Sequence, residues 1–540
     1  MSSEVEYGRP VFTSGVFGTA RAENDLGIED VGAGLLRRLI PGVIQNTPNA
    51  GYYSFYPYLL WKWQQAGEST DLASFVPFYR RHEAAFAMGC VLHDHRDGAA
   101  LSGVNGAISA RARARELRGG SGELDLEQHA RTYMDTPLGG YRLFYAAALQ
   151  DARLVVAGAD GLVDRVSDHG RSVAQRFAEA FEQTAYYQHH FDGTNVVPIG
   201  VLEELGKVAC LCAVPQRSDH EALLETFFGS PLSSSEWEER RIQRVQSLVL
   251  LLEFHAQRPP DDEDGLAAWR HALVEPRFSS GRPWTTTHTQ TRESWRAYQL
   301  REIQVLCLTT IWSIYIAELV RRERATHQEL AEELVSWLNR PSLGFDPETS
   351  LDDAMAAAGS LLSEGYELAL AADPLASEWQ DQPKAALCRA LRVISVLPRE
   401  IGRTAAGFDE LLDEGGDHRW SLRNLADWLE VRSQDPFSQV VSELLDALHH
   451  QHVRVALSKV RVPSGQNLRR VRGGWRDPFN FAEDDGVLRP LRVDEPFWTG
   501  ARYGVCNHLL WTLGLLTTPM PPLGLTDLGR SVLDRYAADA

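Results

Sequence analysis

The chain reads as mainly α: a multi-domain helical array carrying two small units that each contain a short β-hairpin. Three observations predict this. Apolar residues recur at helical spacing from residue 27 to 92 and again from 221 to 458. Strand signals are scarce throughout 220–460. One stretch also occurs twice, at 165–177 and 524–536, each time behind a helix-like run and two short apolar steps.

The repeat comes first because it organises the rest. Arg-Val-Ser-Asp-His-Gly-Arg-Ser-Val-Ala-Gln-Arg-Phe at 165–177 matches Gly-Leu-Thr-Asp-Leu-Gly-Arg-Ser-Val-Leu-Asp-Arg-Tyr at 524–536 in a hydroxyl, Asp, Gly, Arg, Ser, Val, Arg and a final aromatic. Ser167 and Thr526 are placed to cap a helix by accepting a first-turn N–H, and the following Asp suits the positive helix end. The runs Tyr141–Leu149 and Arg502–Leu513 precede the copies, followed by Leu154–Val156 and Leu162–Val166 in one, and Leu515–Leu516 and Leu523–Leu525 in the other. Helix, strand, wing, strand and capped helix resemble a winged-helix unit, expected at 126–185 and at 498–540. That resemblance makes Tyr141, Arg142 and Arg502 the residues expected on an exposed, groove-facing side.

At 540 residues the chain exceeds one core and suits three or four domains. A net charge of −19 argues against a protein that grips nucleic acid over its whole surface, so any such contact is local. Only four of the 54 basic residues are lysine: Lys62, Lys207, Lys384 and Lys459. No signal-peptide pattern follows Met1, and Val305–Ala317 is too short and too closely flanked by charge to span a bilayer, which takes about 20 residues. The six cysteines sit mostly in apolar surroundings. Cys210-x-Cys212, the only close pair, reads as two small core residues, and no metal or other cofactor is expected. The expected compartment is the reducing cytoplasm.

Along the chain, residues 1–122 read as an N-terminal helical domain. Helices are expected at 27–40 and 71–92. Between them, Tyr52–Trp63 carries aromatics too dense, and too poor in basic partners, for a base-stacking platform; it reads as a buried helix. Leu26-Gly27-Ile28, Leu39-Ile40-Pro41-Gly42 and Tyr52–Trp61 resemble an uncharacterised bacterial family encoded near helicase and phospholipase-D-type genes in anti-phage defence islands. The resemblance covers about the first hundred residues and brings no functional residues with it. His93-Asp94-His95 reads as a polar turn ending at Gly98. Arg111, Arg113, Arg115 and Arg118 form a small basic stretch before the Gly119–Gly122 break.

Residues 186–460 read as an α-helical middle domain. Its longest helix, 293–324, is apolar nearly all round, the mark of a central bundle member. Shorter helices are expected at 221–228, 236–255, 327–339, 351–371, 384–396, 421–431 and 436–458. Residues 461–497 read as a basic arm and linker, and 498–540 as the second winged-helix-like unit. The segment 447–476 holds Arg454, Lys459, Arg461, Arg469, Arg470, Arg472 and Arg476 with no acidic residue, and also Trp475. These eight residues are the candidate nucleic-acid contacts, as a phosphate-binding arm. The alternative is an arginine-rich face that pairs with acidic protein surface. His449-His450-x-His452 does not read as one metal site.

Lysine scarcity excludes several chemistries. Gly206-Lys207 is followed by Val208, so no phosphate loop exists, and the residues preceding the four lysines rule out Asp/Glu-x-Lys, His-x-Lys and Ser-x-x-Lys. The expectation is a non-catalytic, DNA-associated subunit or scaffold of a bacterial complex in phage defence. Its partners would be protein subunits and DNA, with no membrane. Two rivals stand: a metal-dependent nuclease or phosphohydrolase using His93, Asp94 and dispersed His/Asp residues, and a pure protein-interaction scaffold.

Overall fold

Helix starts are written locally. Asp71 accepts from Ser74 N at 3.1 Å and Asp125 from Gln128 N at 3.0 Å, while Thr326 and Glu329 form a reciprocal capping box. The computed structural model describes residues 25–28, 30–93, 103–118, 122–134, 136–193, 195–229, 236–259, 265–362, 365–402, 420–459, 478–519 and 524–538. Among these the chain is mainly helical, with seven short strands. Two compact units emerge. One, the flanking unit, comprises 37–266, 286–291 and 502–540; the other, the middle unit, comprises residues up to 36, 267–285 and 292–501. The five sequence segments therefore regroup: the expected 186–460 domain is divided, and both copies of the repeat fall in the flanking unit.

The flanking unit begins with the end of α1 (Asp30–Leu39), then α2 (Tyr52–Gln65), α3 (Leu72–Leu92), α4 (Ala107–Arg118) and α5 (Leu126–Tyr133). The helices α6 (Ala146–Asp151), α7 (Asp168–Phe181), α8 (Ala185–His190), α9 (Ile199–Ala209), α10 (His220–Phe228) and α11 (Glu236–Gln257) follow. The aromatic run is core, since every residue from Tyr52 to Leu60 is buried. Phe55 stacks on Phe86 with centroids 4.0 Å apart, and Tyr52 on Tyr56 at 5.0 Å. Helix α2 packs on α7, and α3 packs on α9. Strand β1 (Glu123–Asp125) pairs antiparallel with β4 (Val196–Pro198), and β2 (Val155–Val156) with β3 (Arg165–Val166).

The middle unit holds most of α12 (Gly265–Val274), α13 (Thr289–Arg322), α14 (His327–Ser336), α15 (Arg340–Leu343), α16 (Leu351–Leu361) and α17 (Gly365–Ala372). It continues with α18 (Leu375–Glu378), α19 (Pro383–Gly402), α20 (Leu422–Glu430) and α21 (Phe437–Lys459). Helix α13 is long and apolar enough to cross a membrane, but 89% of its most apolar window is buried in protein. Several of its polar side chains are bonded inside the unit. Arg296 pairs with Glu400 at 2.8 Å, both buried, and Gln304 Nε2 donates to Trp420 O at 2.9 Å.

One element departs from the reading of 461–497 as arm and linker. Strands β6 (Phe481–Asp484) and β7 (Val487–Pro490) form a hairpin whose β7 edge pairs with β5 (Ala325–Thr326), giving the order β5-β7-β6. The turn is Asp485-Gly486, with φ of 52° and 76°. A two-residue Asp-Gly loop matches strand twist, so the hairpin is set locally.

Candidate functional site

The two copies of the repeat fold alike, bond for bond. The helix before each copy is Tyr141–Asp151 in the first, a π-turn followed by α6, and α22 (Tyr503–Thr512) in the second. Each ends on a left-handed residue, Arg153 at φ 58° and Gly514 at φ 75°. Leu154 N then donates to Leu149 O, and Leu515 N to Leu510 O, both at 2.9 Å. A short antiparallel pairing follows, β2–β3 in one copy and the bridge Leu516↔Leu525 in the other. Ser167 then caps α7, and Thr526 caps α23 (Asp527–Ala538). Their hydroxyls accept from Gly170 N at 2.9 Å and Gly529 N at 3.0 Å, and donate to Arg153 O at 2.5 Å and Gly514 O at 2.6 Å.

The glycines have a steric cause. A Cβ on Gly170 would lie 1.9 Å from Leu154 O, and one on Gly529 2.2 Å from Leu515 O. Hydroxyl, glycine and the buried Val173 and Val532 are thus used in folding the unit. What differs is the exposure of the first helix. In the first copy Arg142, Leu143 and Ala147 face solvent, with Leu143 52% exposed. In the second, α22 is buried almost throughout. Two of the three residues expected on a groove-facing side are in fact inside. Tyr141 donates to Asp164 Oδ2 at 2.5 Å, and the Arg502 guanidinium donates to Val43 O. Helix packing, invisible to the winged-helix analogy, turned them inward.

Of the eight candidate nucleic-acid contacts, Arg454 and Lys459 lie on α21. Arg454 is half-buried, donates to Gln451 Oε1, and is held below the ordinary arginine range by burial. Lys459 is the last residue of that helix. Arg461, Arg469, Arg470, Arg472, Trp475 and Arg476 lie outside the described residues. The arm therefore leaves from the C-terminus of α21, and the described chain resumes at 478, just before β6. Of the histidine triplet, His449 stacks on Phe481 at 5.0 Å, His450 is exposed, and buried His452 accepts from Asn480 N at 3.1 Å. A second basic surface belongs to the flanking unit. On α4, Arg111, Ala112 and Arg115 are exposed on one face with Ile108, which is 87% exposed.

For the hydrolase alternative, Asp94 and His95 lie outside the described residues, and His93 sits among thiols: its Nδ1 is 3.4 Å from Cys212 Sγ. Spacing along the chain could not show this, because 119 residues separate the two. The flanking unit also has a cavity of about 440 Å³ lined by Arg241, Gln246, His288, Thr291 and Tyr536 among others. Elsewhere in that unit Glu83 is buried, accepts from Tyr56 Oη at 2.7 Å and Gly140 N at 3.0 Å, and is pushed up to about 7 by burial. It serves to lock α3 onto the entry of the first copy. No family model, curated protein or solved structure matches the chain.

Proposed function

We propose that the protein is a non-catalytic, cytoplasmic scaffold subunit of a DNA-associated bacterial assembly, with DNA reached through the basic arm. One observation carries the reading. A chain of net charge −19 concentrates seven basic residues and no acidic one in 447–476, a segment that begins within the last turns of α21 and continues past its last residue, Lys459. The helical architecture supports the scaffold role. The arginines of α4 and the exposed Arg142 face add local positive surface on the flanking unit. The likeness of the αββα copies to winged helices is in keeping with this, although such units serve protein contacts as well as DNA. The role in phage defence rests on the family likeness of the N-terminal residues alone.

The test is fluorescence anisotropy of labelled duplex DNA across a salt series, comparing wild type with a variant carrying Arg469→Ala, Arg470→Ala and Arg472→Ala. Binding should weaken steeply with salt. The triple variant should lose about one unit of log–log slope per phosphate contact removed. No binding at low salt would sink the DNA part of the proposal and turn the arm into a contact for a protein partner.

A further inference from the structure

The ends of α3 and α9 meet at a group of metal-ligating side chains that neither the repeat nor the basic arm uses. Among the described residues His93, Cys210 and Cys212 bring one nitrogen and two sulfurs within 4.8 Å of one another. The hydrogen bonding of the Cys210 thiol involves both Cys212 and Cys90. Cys90 stands one helical turn before His93 on the same helix and adds a third thiol beside Cys210, outside the trio that lies mutually within 4.8 Å, so the candidate donors come from two pairs, Cys90-x-x-His93 and Cys210-x-Cys212.

The approach that makes this possible rests on two glycines. Gly89 and Gly206 face each other across the α3–α9 contact. A Cβ on Gly206 would lie 2.2 Å from Gly89 O and 3.2 Å from the Cβ of His93. Only with both positions bare do the helices close enough to set His93 beside the Cys210 turn. Both helices then stop at the site. His93 and Cys210 are their C-caps, with backbone N–H groups bonded to Gly89 O and Gly206 O at 3.0 Å. Two helix C-termini, each the negative end of a dipole, thus converge where the ligands are, a field that favours a cation and opposes isolated thiolates.

We propose that Cys90, His93, Cys210 and Cys212 form a structural Zn²⁺ site that ties the end of α3 to the end of α9. Zinc–ligand bonds of about 2.3 Å to sulfur and about 2.0 Å to nitrogen place neighbouring tetrahedral ligand atoms roughly 3.5–3.8 Å apart. The 3.4 Å between Cys212 Sγ and His93 Nδ1 already meets that spacing. A set of three cysteines and one histidine leaves no open position for water, so the ion acts as a staple. Binding converts three thiols to thiolates and releases three protons, with imidazole entering neutral. Metal affinity therefore falls as pH falls.

The experiment uses the full chain. It is purified without chelator, its metal content is read by inductively coupled plasma mass spectrometry, and the apoprotein is refilled with Co²⁺. The expected result is about one zinc per chain and a Co²⁺ spectrum with tetrahedral d–d bands and thiolate charge transfer. Cys212→Ser and His93→Ala should lose the metal, whereas Cys307→Ser, a buried thiol elsewhere, should keep it. His93→Cys, which restores a ligand, should keep it too, separating ligand loss from simple misfolding. Cys90→Ser should weaken binding and open the coordination. A metal-free wild type with free thiols that also fails to take up Co²⁺ overturns the proposal. So does an octahedral spectrum, or full occupancy in both Cys212→Ser and His93→Ala. An unchanged Cys90→Ser spectrum removes Cys90 from the set and refutes the closed site.

Discussion

The two αββα copies share a backbone and differ in their surroundings. Cap, left-handed turn, short pairing and glycine contact coincide atom for atom. The first copy leaves Arg142, Leu143 and Ala147 to solvent, whereas the second buries its corresponding helix, with His508 bonded to Asn49 at 3.0 Å and Asn507 to His255 at 2.8 Å. Repeated sequence therefore reports a repeated folding problem. If either copy touches a partner through its first helix, it is the first.

The comparison breaks most severely at the glycines. Gly170→Ala and Gly529→Ala each drive a methyl into a backbone carbonyl, so each should cost about 3 kcal/mol. Chemical denaturation of both variants checks this; a loss below about 1 kcal/mol in either would show that the two contacts are not equivalent. Next come the caps. Ser167→Ala and Thr526→Ala should each cost about 1 kcal/mol, since both hydroxyls accept one bond and donate another. The left-handed position separates the copies more finely. Gly514→Ala should cost about 1 kcal/mol, whereas Arg153→Gly should change stability by less than about 1 kcal/mol, because relief of strain opposes the added chain entropy.

A further contrast is one of pH, and it has opposite sign in the two copies. Glu83, which holds the first copy through Gly140 N, is raised from 4.5 to about 7 by burial. Its contribution is complete below about pH 4.5 and is lost as pH rises through 7. His508 and His255, which hold the second copy, are each lowered from 6.5 to about 4 by burial. Their contribution is complete above pH 6.5 and is lost as pH falls towards 4. Going from pH 7 to 5 should therefore firm 141–151 and loosen 503–512. Hydrogen exchange corrected for intrinsic rates reads both. Glu83→Gln should flatten the first trend only, and parallel trends in the two peptides would contradict the assignment.

Much of the fold was legible because it is local. Helical period, the Ser167 and Thr526 caps and the all-round apolar character of α13 each depend on residues within a turn or two. The β6–β7 hairpin was equally legible, through Asp485-Gly486, but its signal lay in a stretch read as linker. The winged-helix analogy failed at Tyr141 and Arg502 because it names a face without knowing what packs there.

By itself, then, the sequence determined the helices, their caps and the duplicated unit, since nearest neighbours along the chain set backbone angles and first-turn hydrogen bonds. It also determined where positive charge gathers, because charge needs no folding to be counted. Only the tertiary structure decided that both copies share one unit, that the second first-helix is buried, and that His93 meets Cys210 and Cys212. Those outcomes depend on which faces pack together across a hundred residues or more, and on bare glycine surfaces such as Gly89 against Gly206. Such contacts are properties of close-packed surfaces, and no local pattern encodes them.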